Sequence, residues 1–164
     1  MILLVNDANI LIDLLQINLL SAFFRLPCEF HVTDLVAAEV LESNAAVLKA
    51  CIDNGTLKKK RFNYSELMEI QLLNIQHKSL SIPDCSCLFL SKALSARLLT
   101  GEAAMRRIAK DSDIKVHGVL WIFDQLVEKY IITETQAYDK LTLLMTLNSR
   151  LPTSECKKRL KTWE

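Results

Sequence analysis

Apolar residues along the chain first run together and then space out. Residues 2–5 are an unbroken apolar run, the pattern of a strand buried on both faces of a parallel sheet rather than of a half-wet strand, which would alternate. Asn6, Asp7 and Asn9 interrupt it, and from Ile10 the apolar positions return at helical spacing as Ile10, Leu11, Leu14 and Leu15. A strand that passes straight into a helix puts its polar corner at the strand's carboxyl end, the edge at which open α/β sheets bind ligands. Asp7 stands at that corner. Asp is also a favoured helix cap, so the corner alone leaves a structural and a chemical reading open.

The same alternation recurs downstream. Residues 21–27 read as a packed aromatic connection, residues 29–32 as a short strand, and residues 34–50 as one helix capped by Thr33 and ending near Asn54-Gly55. Residues 57–62 form a strand whose lysines suit a sheet edge, where charge discourages further pairing. Asn63 or Ser65 opens a helix to about His77, and Ser81-Ile-Pro-Asp84 opens another that reaches Leu94. Residues 97–100 and 114–117 are short apolar strands separated by a helix over 103–110. Helices over 119–129 and 134–147 follow, then a tail with helix from Ser154. Strands alternating with helices at this spacing predict an α/β fold with a short parallel sheet, rich in helix.

Composition narrows the function classes. At 164 residues the chain is long enough for one domain with a proper core, and 51% hydrophobic with 24% charged residues fits a compact globule rather than a disordered chain. The net charge of +1 excludes a global basic field for nucleic acid; only local clusters exist, at residues 58–61, 106–110 and 157–161. Five cysteines, with Cys85 and Cys87 two apart, match neither a redox CxxC nor a zinc site. Reduced thiols imply a cytoplasmic protein. No signal peptide or membrane span is read, because charges interrupt every long apolar stretch.

Three further acids lie where they can share a site with Asp7. Asp84 begins a helix, Glu102 follows a strand, and Glu39 borders the apolar stripe of the helix after Thr33. Capping and the helix dipole offer ordinary explanations for Asp84 and Glu102; neither applies to Glu39, although a stripe-edge glutamate with its head in water is commonplace. Four such carboxylates packed together repel unless a cation neutralises them. Mg²⁺ or Mn²⁺ takes hard oxygen ligands and keeps room for water and phosphate oxygens, which suits phosphodiester hydrolysis and requires no histidine or cysteine.

The order NDANILIDLL, VTDLVAAEVLE, PDCSCLFLSKALSARLLTGEAAMRRIA and IKVHGVL resembles the PIN-domain family, and within it the small VapC-type nucleases of toxin–antitoxin pairs. The resemblance implies a three-layer α/β/α fold over residues 1–164, with a core to about 130 and a helical extension over about 131–164. It implies a metal-dependent ribonuclease with Asp7, Glu39, Asp84 and Glu102 as catalytic and metal-binding acids, using Mg²⁺ or Mn²⁺. It also implies an RNA substrate, a cognate antitoxin and a homodimer. Asn9 matches the residue that orders the first acid in the family, and Thr100 the small hydroxyl residue before the fourth. Two departures stand out: Ala8 replaces a Thr or Ser, and Glu102 an Asp.

Ser86 is a supporting candidate two residues after Asp84, although a serine in a first helical turn needs no such role. Lys92, Arg97, Arg106 and Arg107 flank the acids and are the candidates for holding the substrate backbone. Asp13, on the face of Asn9 and Gln16, reads as solvated. His117 ends a strand and can approach the site, but as a lone histidine reads as structural, and Trp121 and Phe123 read as core or interface. The competing functions are a catalytically silent PIN-like module that binds RNA or protein, and an aspartate-nucleophile phosphatase built on Asp7. Against the latter, Asn9 stands where such enzymes place a second acid.

Overall fold

The computed structural model describes residues 1–42 and 46–164. Five parallel strands pair in the order β3-β2-β1-β4-β5, with β1 at Ile2–Asn6, β2 at Cys28–Thr33, β3 at Leu57–Lys60, β4 at Arg97–Leu99 and β5 at Val116–His117. This is the helix-rich α/β fold with a short parallel sheet expected from the hydrophobic pattern, and it is consistent with the architecture the resemblance implies. Leu4 and Val5 are fully buried at the middle of the sheet, which is why β1 is apolar without alternation. β3 is an edge strand: Leu57 is buried, Lys58 and Lys59 are exposed, and Lys58 pairs with Glu29 on β2.

Topology decides where a site can form. The chain leaves β1 toward β2 and β3, then crosses back to β4 and β5 on the other side of β1. The direction of winding therefore switches between β1 and β4, and a crevice opens at their carboxyl ends. Asp7 follows β1 there, with its backbone N–H donating to the Leu99 carbonyl at 3.0 Å, and Glu102 follows β4.

Helices α1 (Ala8–Gln16), α2 (Leu20–Phe23), α3 (Asp34–Leu41) and α4 (Ala46–Asp53) fall in the first third of the chain. The helix expected over 34–50 is represented by α3 and the start of α4; its middle, residues 43–45, lies outside the described residues. The expected connection over 21–27 contains α2, whose Phe23 packs edge-on against Phe30 of β2. Helices α5 (Tyr64–Gln76) and α6 (Ile82–Leu94) lead into β4, and α7 (Ala103–Asp111) joins β4 to β5.

Beyond β5 lie α8 (Val119–Glu128), α9 (Glu134–Leu147) and α10 (Thr153–Trp163). The basic tail is docked rather than loose: Arg159 of α10 donates two 2.8 Å bonds to the Asp124 carboxylate on α8, and Trp163 packs near Phe123. None of the helices among the described residues is long and apolar enough to cross a membrane.

Candidate metal centre

Asp7 caps α1, accepting the Ala8 N–H on Oδ1 at 2.8 Å, while the Thr100 hydroxyl donates to Oδ2 at 2.8 Å. Asp84 closes a capping box at the start of α6: Oδ2 accepts the Ser81 N–H at 3.0 Å, and the Ser81 hydroxyl accepts the Asp84 N–H. Glu102 occupies the cap position of α7 but makes no side-chain cap; its Oε1 accepts instead from the Asn9 amide at 3.3 Å. The structural and chemical readings are thus not alternatives for Asp7 and Asp84. Capping fixes each carboxylate while leaving it able to face its neighbours.

The three converge. Asp7, Asp84 and Glu102 each offer an oxygen within 4.8 Å of the others, with Asp7 and Asp84 buried and Glu102 half-buried. Crowding shows in their acidities. Burial, with the Glu102 and Asp84 charges adding to it, pushes the Asp7 carboxyl up to about 7 against the pull of Thr100 and Ala8. Glu102 is raised by burial and then by Asp84, with Arg150 opposing. A set of hard oxygen donors that is expensive to ionise in isolation fits a divalent cation such as Mg²⁺ or Mn²⁺. Cys87 is fully buried beside the acids but lies outside the three-acid cluster, and burial and their charge hold its thiol well above the ordinary range.

The other candidates scatter. Glu39 is exposed on α3 and lies outside the three-acid cluster, although burial and then the Asp84 charge raise its pKa. Asn9 bonds Glu102, so the ordering of Asp7 falls to Thr100, whose hydroxyl also accepts the Glu102 N–H at 3.2 Å. Ser86 is fully buried and donates to the Pro83 carbonyl at 2.6 Å; at 2.9 Å from Thr33 Oγ1 it ties α6 to the end of β2. Arg106 lines a cavity of about 520 Å³ together with Glu102 and Asn9. Gly118 leaves it room: a Cβ there would stand 3.0 Å from the Arg106 guanidinium.

Arg107 is exposed on α7. Lys92 sits in the last turn of α6, about 12 Å along the helix from Asp84, beside Phe89 and Leu72. Arg97 begins β4 at the opposite end of the strand, near Cys28, and reaches His117 Nε2 at 3.2 Å. His117 stacks on Trp121 with ring centroids 4.2 Å apart, and burial followed by the Arg97 charge lowers its pKa to about 4. It is neutral at physiological pH. Trp121, expected in core or interface, is half-buried on the cavity wall.

One site residue runs against its sequence reading. Asp13 is not solvated but 9% exposed, and accepts the Asn148 amide on Oδ2 at 3.0 Å. The segment that covers it lies 135 residues downstream, so no local pattern announces it. The one signal was its helical spacing from Asn9, four residues earlier on the same face.

A family model for PIN domains, DUF3368, matches residues 3–164. No curated protein matches the sequence.

Proposed function

The chain belongs to that PIN-domain family, and we propose that it is a divalent-metal-dependent ribonuclease whose metal site is built by Asp7, Asp84 and Glu102, with Glu39 adding negative charge at the margin. PIN domains are generally nucleases that act on RNA and use divalent metals. The observation that carries the reading is the meeting of three carboxylates from three separate elements within 4.8 Å at the topological switch of the sheet. A divalent ion held there supplies an acidified water and neutralises charge on the phosphodiester. We read residues 1–164 as one such domain.

The chain's own residues do the positioning. The Thr100 hydroxyl fixes the Asp7 carboxylate, the Ser81 cap fixes Asp84, and Asn9 steadies Glu102. Arg106, beside Glu102, and the exposed Arg107 offer charge to the RNA backbone, so binding weakens as salt rises. The roles of VapC-like toxin, antitoxin partner and homodimer rest on the sequence resemblance and are proposed with it. Against a silent module built around Ala8, a hydroxyl is still present at Asp7, supplied by Thr100.

Cleavage of a mixed pool of structured RNAs tests the reading, with Mn²⁺, with Mg²⁺ and with chelator, beside Asp84→Asn. Metal-dependent cutting lost in the variant is expected. A folded, inhibitor-free protein that cuts nothing under either metal would leave the silent module.

A further inference from the structure

The cavity beside the acid cluster has chemistry that phosphodiester hydrolysis does not use. Its volume, about 520 Å³, is within the usual range for a small-molecule pocket. Glu102 and Asn9 stand at one side, and the α9–α10 connection closes the other. Asp13 lies in its wall, one helical turn beyond Asn9 on α1. The residue as a whole is only 9% exposed, and of its two carboxylate oxygens Oδ2 accepts from Asn148 while among the described residues no donor reaches Oδ1. That amide cannot turn away, because Asn148 Oδ1 accepts the Arg150 N–H at 2.9 Å. Oδ1 is not among the fully buried oxygens that lack a partner, so in the cavity wall it is reached by solvent and free to accept from a ligand.

The remaining wall is complementary to a nucleotide. Arg106 and Arg150 bring positive charge, and among the described residues neither makes an ion pair, whereas Arg159 nearby is consumed by Asp124 and Glu155. The parallel stack of neutral His117 and Trp121 contributes a flat aromatic face. We infer that this cavity receives a nucleotide next to the scissile phosphate, and that Asp13 Oδ1 selects there for bases carrying an amino group. Adenine, cytosine and guanine each present an exocyclic N–H to such an acceptor. Uracil presents one ring N–H flanked by two carbonyl oxygens, whose lone pairs face the carboxylate and oppose it. The placement next to the cut rests on the ribonuclease reading; the base preference does not.

Titrating the protein with AMP, CMP, GMP and UMP in the presence of Mn²⁺, followed by tryptophan fluorescence, tests this. Binding of the three amino-bearing nucleotides is expected to be about tenfold tighter than that of UMP, the scale of one hydrogen bond to a buried charge. Asp13→Asn, which can still accept from Asn148, should reduce that gap to about twofold or less, since its amide can donate to uracil. Arg150→Ala, exposed and remote from the core, should weaken all four by a similar factor and flatten the salt dependence. Equal binding of the four, no binding of any, or a preference unchanged in Asp13→Asn would overturn the inference. Cleavage of a random RNA pool run alongside separates the two claims. Cutting without base preference sinks the pocket and leaves the nuclease, whereas selective binding without cutting does the reverse.

Discussion

Asp7 caps the helix that carries Asp13, six residues on, and burial raises the pKa of both. Their neighbours differ in kind. Around Asp7 the nearby charges are carboxylates, Glu102 and Asp84, which add to the burial penalty and push it to about 7. Around Asp13 stand an amide donor, Asn148, and a guanidinium, Arg150, which oppose that penalty. The lesson is that burial alone does not say what a carboxylate is for. A crowd of acids calls for a cation, while a single acid among donors calls for a ligand with N–H groups.

Three substitutions bear on the acidic end. The largest effect is expected from Asp84→Asn, which keeps a side-chain acceptor for the Ser81 cap but removes a charge from the cluster. Its RNA cleavage should fall by more than the roughly 10–100-fold typical of outer-shell changes to a metal site, measured under saturating Mn²⁺. Thr100→Val comes next. It removes the donor to Asp7 and the acceptor of the Glu102 N–H, so Mn²⁺ affinity by calorimetry should drop about 10–100-fold. Glu39→Gln is smaller. Because Glu39 is exposed and outside the three-acid cluster, cleavage should fall less than about tenfold. A Glu39 effect equal to that of Asp84 would mean the helix α3 side closes onto the site.

A stability measurement sharpens the contrast through its sign. The Asp7 carboxyl is raised from 3.8 to about 7, so between those values the folded, metal-free protein holds a proton that the unfolded chain has released. Stability from this group is therefore highest below pH 4 and is lost as pH rises toward 7. Asp7→Asn should then raise the melting temperature of the metal-free protein at pH 8, on the order of 5–10 °C, with the gain vanishing near pH 4. An unchanged or lower melting temperature at pH 8 would mean that Asp7 is not strained by its neighbours.

Much of this was legible in the chain because its signals are local. The unbroken apolar run of β1, the Ser81-Ile-Pro-Asp84 cap and the lysines of the edge strand β3 each state their own structure. So do the corners that carry Asp7, Asp84 and Glu102, since a strand end or helix start places its acid without help from elsewhere. What depends on distant chain was not legible. Asp13 is covered by Asn148, and the basic tail is held by Asp124. Arg97 and Lys92 are near the acids in sequence only: a strand and a helix run between, carrying each to the far end of its element.

The central claim is that Asp7, Asp84 and Glu102 hold a divalent cation, and thermal unfolding across a Mn²⁺ titration at pH 8 tests it most directly. A bound ion stabilises the folded chain by mass action, so the melting temperature of the unaltered protein should climb steadily as Mn²⁺ passes its dissociation constant, with no matching climb in Asp7→Asn. Equal, shallow responses in the two proteins would contradict a metal site at this cluster.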